Sequence, residues 1–167
     1  MTILVSDTSV LIDLERGSLL ESVFSLSATF AVPDVLFERE LKAYGGENLL
    51  ALGLKVLELD GEGVLLAQSY RARSKQISLP DSFTLALARR DGHTLLTGDG
   101  ALRSLAEAEG LECHGFLWVI DQLIGAGTVP RVLLAARIEL IVSHPRCRLP
   151  RREVKLRLEQ LLRKEWP

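Results

Sequence analysis

Ile3-Leu4-Val5-Ser6-Asp7-Thr8-Ser9-Val10-Leu11-Ile12-Asp13-Leu14-Glu15-Arg16-Gly17 holds the reading on which the fold turns. A short β-rich apolar run, Ile3 to Ser6, ends on an acid, and helical periodicity follows from Ser9 to Arg16 until a glycine stops it. A strand has passed directly into a helix. The same rhythm recurs along the chain. Further strands are predicted at Thr29 to Val32, Lys55 to Leu59, Thr94 to Thr97 and Leu111 to His114. Further helices are predicted at Asp34 to Ala43, Glu62 to Ser74, Pro80 to Arg90, Ala101 to Glu109, Phe116 to Ala126, Val132 to Val142 and Arg151 to Lys164. Strands joined by helical crossovers make a parallel sheet covered on both faces, so the fold class is α/β.

Local signals fix several element ends. Gly17, Gly92, Gly110 and Gly127 each follow a periodic segment, where a left-handed cap is expected. Ser78-Leu79-Pro80-Asp81 sets an N-cap residue three positions before an acid with proline in the first turn, which starts a helix there.

The 167 residues suit one core, and 47% hydrophobic with 25% charged residues is an ordinary globular composition. A net charge of −2 gives no global attraction to nucleic acid or to an acidic membrane, so any polyanion must be met locally. No apolar run reaches the roughly 18 residues of a bilayer span. The N-terminus lacks the pattern of a signal peptide. Two cysteines, Cys113 and Cys147, allow a single bridge at most, which fits a reducing cytoplasm.

In open parallel sheets the ligand crevice lies beyond the carboxyl ends of the strands. Asp7 directly follows the first strand, and Asp99 follows the strand Thr94 to Thr97 after one glycine. Asp81 opens a helix, and Glu40 lies in the helix after the second strand. Each acid alone reads as a cap or a surface charge. Four carboxylates at one rim would instead repel one another, and a hard divalent cation, Mg²⁺ or Mn²⁺, resolves the conflict. Repulsion of this kind predicts that Asp7→Asn and Asp99→Asn leave the metal-free fold intact or stabilise it.

Asp7-Thr8-Ser9, Glu40-Leu41, Leu79-Pro80-Asp81-Ser82 and Leu95-Leu96-Thr97-Gly98-Asp99 together resemble the PIN-domain nucleases, whose most numerous members are ribonuclease toxins of virulence-associated type II toxin–antitoxin systems. The resemblance covers about residues 1 to 120. It implies a three-layer α/β/α fold on a five-stranded parallel sheet and a Mg²⁺ or Mn²⁺ site. It also implies hydrolysis of RNA phosphodiester bonds, with Asp7, Asp81 and Asp99 as metal-binding acids and Glu40 as the family's glutamate. Thr8, Ser9 and Thr97 match hydroxyl residues that orient carboxylates or water. Glu38 is the alternative acid. It lies about 200° from Glu40 around a helix, so only one of the two can face the crevice. Residues 1–127 would form the catalytic domain and residues 128–167 a helical extension packed on it, which can serve a homodimer or partner surface. A small antitoxin protein is the implied partner.

Arg103, four residues past Asp99, is a candidate phosphate contact, as are Arg39, Lys42, Arg71, Arg73 and Lys75. The arginine cluster Arg146 to Arg152 reads equally as a solvated helix entry and as a phosphate- or partner-binding element. No Gly-x-Gly-x-x-Gly follows the first strand, and no phosphate-loop ending is present. The three histidines lack zinc-site spacing. The reading from another class is a non-catalytic RNA-binding or interaction module that retains the fold and the acids.

Overall fold

The computed structural model describes residues 2–163. Its elements run β1 (Thr2–Ser6), α1 (Thr8–Arg16), α2 (Leu20–Phe24), β2 (Ala28–Pro33), α3 (Asp34–Leu36), α4 (Gly46–Leu52), β3 (Lys55–Leu57), α5 (Gly61–Arg73), α6 (Leu79–Asp91), β4 (Thr94–Leu96), α7 (Gly100–Ala108), β5 (Cys113–His114), α8 (Phe116–Ala126), α9 (Arg131–Val142) and α10 (Arg151–Leu162). A π-helical turn, Phe37–Leu41, continues α3 without a break. The predicted end of the last helix, Lys164, lies outside the described residues.

The five strands form one all-parallel sheet in the order β3-β2-β1-β4-β5, with Leu4 opposite both Phe30 and Thr94. Side chains alternate between the faces of a strand. Leu4, Phe30, Val32 and Leu96 accordingly join α1 to α4 and α8 to α10 in one apolar cluster. Val5 and Leu95, each one position away, join α5, α6 and α7 in the other. The result is a three-layer α/β/α arrangement. Leu134, Ala135, Ile138 and Ile141 of α9, with Val154 and Leu161 of α10, belong to the first cluster. The C-terminal helices therefore share the core of the sheet.

Strand order reverses direction at β1, which has β2 on one side and β4 on the other. The crevice between the carboxyl ends of β1 and β4 is the switch point of the sheet, where ligands of open α/β folds bind.

Gly92, Gly110 and Gly127 have the left-handed conformation expected of them, with φ between 65° and 69°. Gly17 does not: its φ is −86°, and Ser18 takes the positive φ instead. Close approach explains the glycine, since a Cβ at position 17 would lie 2.5 Å from Cδ1 of Ile141 in α9. Two short helices, α2 and α4, were not expected. Among the described residues no helix is long and apolar enough to cross a membrane, and both cysteines are free thiols.

Candidate active site

Asp7 is the N-cap of α1 and is almost fully buried at 3% exposure. Its Oδ1 accepts from the Ser9 hydroxyl at 2.8 Å and the Val10 amide at 3.1 Å, and its Oδ2 accepts from the Thr97 hydroxyl and the Gly98 amide. Two donors thus bind each oxygen and hold the carboxylate in one orientation. Burial pushes its pKa up, and these hydrogen bonds pull the other way. The Thr97 hydroxyl also accepts from the Asp99 amide at 3.0 Å, so its proton is directed at Asp7. One buried threonine joins the ends of β1 and β4.

The other acids arrive from three further elements. Asp99 caps α7 by accepting from the Leu102 amide at 2.9 Å. Asp81 stands in the first turn of α6, whose N-cap Ser78 accepts from the Asp81 amide at 3.1 Å. Glu40 lies in the π-helical turn and receives the Thr8 hydroxyl. A local π-turn changes which residues of a helix face a neighbour, and such turns recur at functional sites. Here the turn closes through the Lys42 amide on the Phe37 carbonyl at 2.8 Å.

All four carboxylates line one open cavity of about 490 Å³, together with Thr8, Ser9, Ile12, Arg39 and Tyr44. Among the described residues none of the four forms an ion pair. The carboxyl of Asp81 is pushed up to about 6, chiefly by burial and then by the charges of Asp7, Asp99 and Glu40, against a lowering hydrogen bond from Ser78. The acids therefore feel one another. Asp7→Asn, expected from repulsion to be tolerated, would place an amide NH₂ against two donors, so the structure turns that expectation toward destabilisation.

Glu38 stands apart from this cavity, exposed and paired with Lys42 at 3.1 Å. Arg103 is also outside it. Its Nη2 donates to the Thr97 carbonyl at 3.2 Å and lies against Gly115, where a Cβ would come within 2.8 Å. Arg73 is turned away to Glu109 at 2.8 Å. Of the proposed basic residues, Arg39 alone lines the acidic cavity. Sequence reading overlooked Ile12 and Tyr44. Tyr44 is 76% exposed at the rim, and an aromatic next to the glycine pair Gly45-Gly46 was the available signal.

No three His, Cys, Asp or Glu side chains among the described residues converge closely enough to cage an ion by themselves. The donor chemistry nevertheless fits a hard divalent cation. The lining acids offer oxygens, none of them forms an ion pair among the described residues, and Mg²⁺ commonly keeps several waters while taking only one or two carboxylates.

The sequence profile of a family described as PIN domain matches residues 3–162, spanning the sheet, all four acids and both C-terminal helices. No protein of curated function matches the chain.

Proposed function

The chain belongs to the PIN-domain family, and from that premise we propose that it is a metal-dependent endoribonuclease, the toxin of a type II toxin–antitoxin pair acting in the cytoplasm. PIN domains are generally nucleases and typically use divalent metal ions. The observation that carries the reading is the meeting of Asp7, Glu40, Asp81 and Asp99, from four separate elements, in one cavity at the switch point, with no ion pair on any of them among the described residues.

Asp7, Asp81 and Asp99, with Glu40, would hold Mg²⁺ or Mn²⁺. When bound, the ion supplies Lewis-acid stabilisation of the charge that develops on the phosphate and its leaving oxygen. The protein's own groups do the rest. The four donors around Asp7 fix its carboxylate in one orientation, which is preorganisation without reorganisation during the reaction. Thr8 engages Oε2 of Glu40 and leaves Oε1 to accept a proton from the attacking water. Attack at phosphorus with departure of the 3′ oxygen leaves a 5′-phosphate and a 3′-hydroxyl.

A crevice of this charge is complementary to a guanidinium, so a small antitoxin that inserts an arginine among the acids would inhibit it. Val132, Leu133 and Leu140 of α9 and Leu156 of α10 are exposed apolar side chains that offer a surface to that partner or to a second copy.

Purified protein incubated with a total cellular RNA pool should cleave it in Mn²⁺ and not in EDTA. Equal cleavage in both, or none in either, overturns the proposal. Expression in a bacterial host should arrest growth and Asp99→Asn should relieve the arrest. Unaffected growth with soluble wild type removes the toxin role and leaves the nuclease.

A further inference from the structure

Beside the acidic cavity lies a second one of about 610 Å³, and the two share Ser9, Ile12 and Asp99. Its remaining walls are Asp13, Arg16 and Gly98 on one side and Pro145, Arg146, Arg148 and Leu149 on the other. The second group belongs to the segment that joins α9 to α10. A stretch distant in sequence thus extends the crevice.

The segment presents its charges by alternation. Cys147 and Leu149 are partly buried and pack on the core, whereas Arg146 and Arg148 are exposed. Arg146 stands in a turn closed by the Cys147 amide on the His144 carbonyl at 3.0 Å, Arg148 follows in the irregular stretch beyond it, and both line the cavity. Pro145 and Pro150 bracket them and restrict the backbone. The segment is also anchored, because α9 meets α1 where Ile141 fills the space that a side chain at Gly17 would need. Its position relative to Ser9 is set by packing.

The charge is uncommitted. Asp13 and Arg16 pair with each other at 3.5 Å, while Arg146 and Arg148 form no ion pair among the described residues. A polyanion entering the acidic cavity is repelled by carboxylates and receives no help from a net charge of −2. Two free guanidiniums on a continuous surface offset that repulsion, and their planar donors match phosphate oxygens.

We propose that Arg146 and Arg148 form a phosphate subsite that holds the backbone of single-stranded RNA next to the bond over the acids. The proposal rests on the nuclease reading for its substrate class and deepens it. The C-terminal segment supplies half of the substrate track.

The test is fluorescence anisotropy of a fluorescein-labelled single-stranded RNA 12-mer with the full-length, metal-free protein in EDTA, over a series of KCl concentrations. Arg146→Glu/Arg148→Glu should weaken binding tenfold or more and reduce the slope of log affinity against log salt by about 1.4, from ~0.7 per lost phosphate contact on a single strand. Arg151→Glu/Arg152→Glu makes the same charge change just beyond the cavity and should leave the slope near wild type. Should the first pair lower the melting temperature, Arg146→Gln/Arg148→Gln reads the same slope without charge reversal. An unchanged slope, or an equal loss in both charge-reversed pairs, overturns the subsite. RNA cleavage in Mn²⁺ separates the two readings: turnover with arginine-independent binding overturns the subsite alone, and arginine-dependent binding without turnover overturns the nuclease reading alone.

Discussion

The two ends of α6 stand among acids in opposite circumstances. Near its last turn, Arg90 binds Asp60 and Glu62, and Glu109 is held by Arg73 at 2.8 Å, by Arg89 at 3.6 Å and by the Tyr70 hydroxyl at 3.0 Å. Those partners hold Glu109 below the usual carboxylate range, and the Gly63 amide followed by Arg90 does the same for Asp60. At the first turn, Asp81 is pushed upward, first by burial and then by the three further carboxylates it faces. The residue types are similar, and burial and partners differ. Among the described residues the acids are paired at one end of the helix and unpaired at the other, and on the proposed reading a cation would supply the balance there.

Hydrolysis should show the contrast most strongly. Asp81→Asn and Asp99→Asn should lower the rate of RNA cleavage about a hundredfold or more, the scale on which loss of one preorganised electrostatic group acts. Glu62→Gln at the paired end should cleave at the wild-type rate, measured on the same labelled RNA. Full activity in Asp99→Asn would erase the distinction between the two ends.

Divalent ions should separate them next. At a concentration of Mn²⁺ a hundred times its dissociation constant, wild type gains about 2.7 kcal/mol. For a chain of this size that raises the melting temperature by roughly 5 to 10 °C. Asp99→Asn should lose most of the shift and Glu62→Gln none, read by thermal denaturation with and without EDTA.

Within the acidic cavity, Asp7 and Asp81 should respond in opposite directions. Asp7→Asn sets an amide against donors and should cost about 1 to 3 kcal/mol. Asp81→Asn removes a charge that its surroundings oppose. A rise of about two pKa units is worth ~3 kcal/mol at full weight, and partial exposure discounts the gain to about 1 kcal/mol. The sign with pH follows from the raised folded-state value. Below pH about 4 Asp81 is protonated in both states and its penalty is absent. As pH climbs through about 6 the folded protein must ionise it against resistance, and stability falls. Urea denaturation of metal-free protein between pH 4 and 7 should show this decline in wild type and a flatter profile in Asp81→Asn. The acids of the paired end act the other way and lose their contribution as pH falls.

The smallest effect concerns neighbours on one turn. Glu38→Gln breaks an exposed pair with Lys42 and should leave cleavage unchanged, whereas Glu40→Gln should reduce it. The reverse order would mean that the π-helical turn presents its other face.

Much of this is legible in the sequence. An acid just past each of two strands marks the ends of β1 and β4, and opposed helical faces separate Glu40 from Glu38. Other features left no local signal. Helices α2 and α4 have Leu19 and Gly45 at their N-cap positions, neither of which makes a side-chain cap, so their starts carry no capping residue to read. Strands β3 and β5, at the sheet edges, pair on one side only and are shorter than their apolar runs suggested. Gly17 does end α1 as its C-cap but without the left-handed conformation, and its need for a bare Cα shows only when Ile141 lies against it; the site of Arg146 and Arg148 depends on that same contact. Long-range docking of α9 decides both, and periodicity cannot express it.

The link from the Asp99 amide through the Thr97 hydroxyl to Asp7 has a consequence for hydrogen exchange. The amides of Gly98 and Asp99 lie between β4 and α7, in a connection whose protons would ordinarily exchange quickly with water. Here one is donated to a buried carboxylate and the other to a buried hydroxyl. The Gly98 bond crosses from β4 to the end of β1, so that amide exchanges when the two strand ends part, whereas the Asp99 bond closes on Thr97 of its own connection and opens with that turn. Slower exchange at Gly98 than at Asp99 would report how long the centre of the sheet stays closed around its acid.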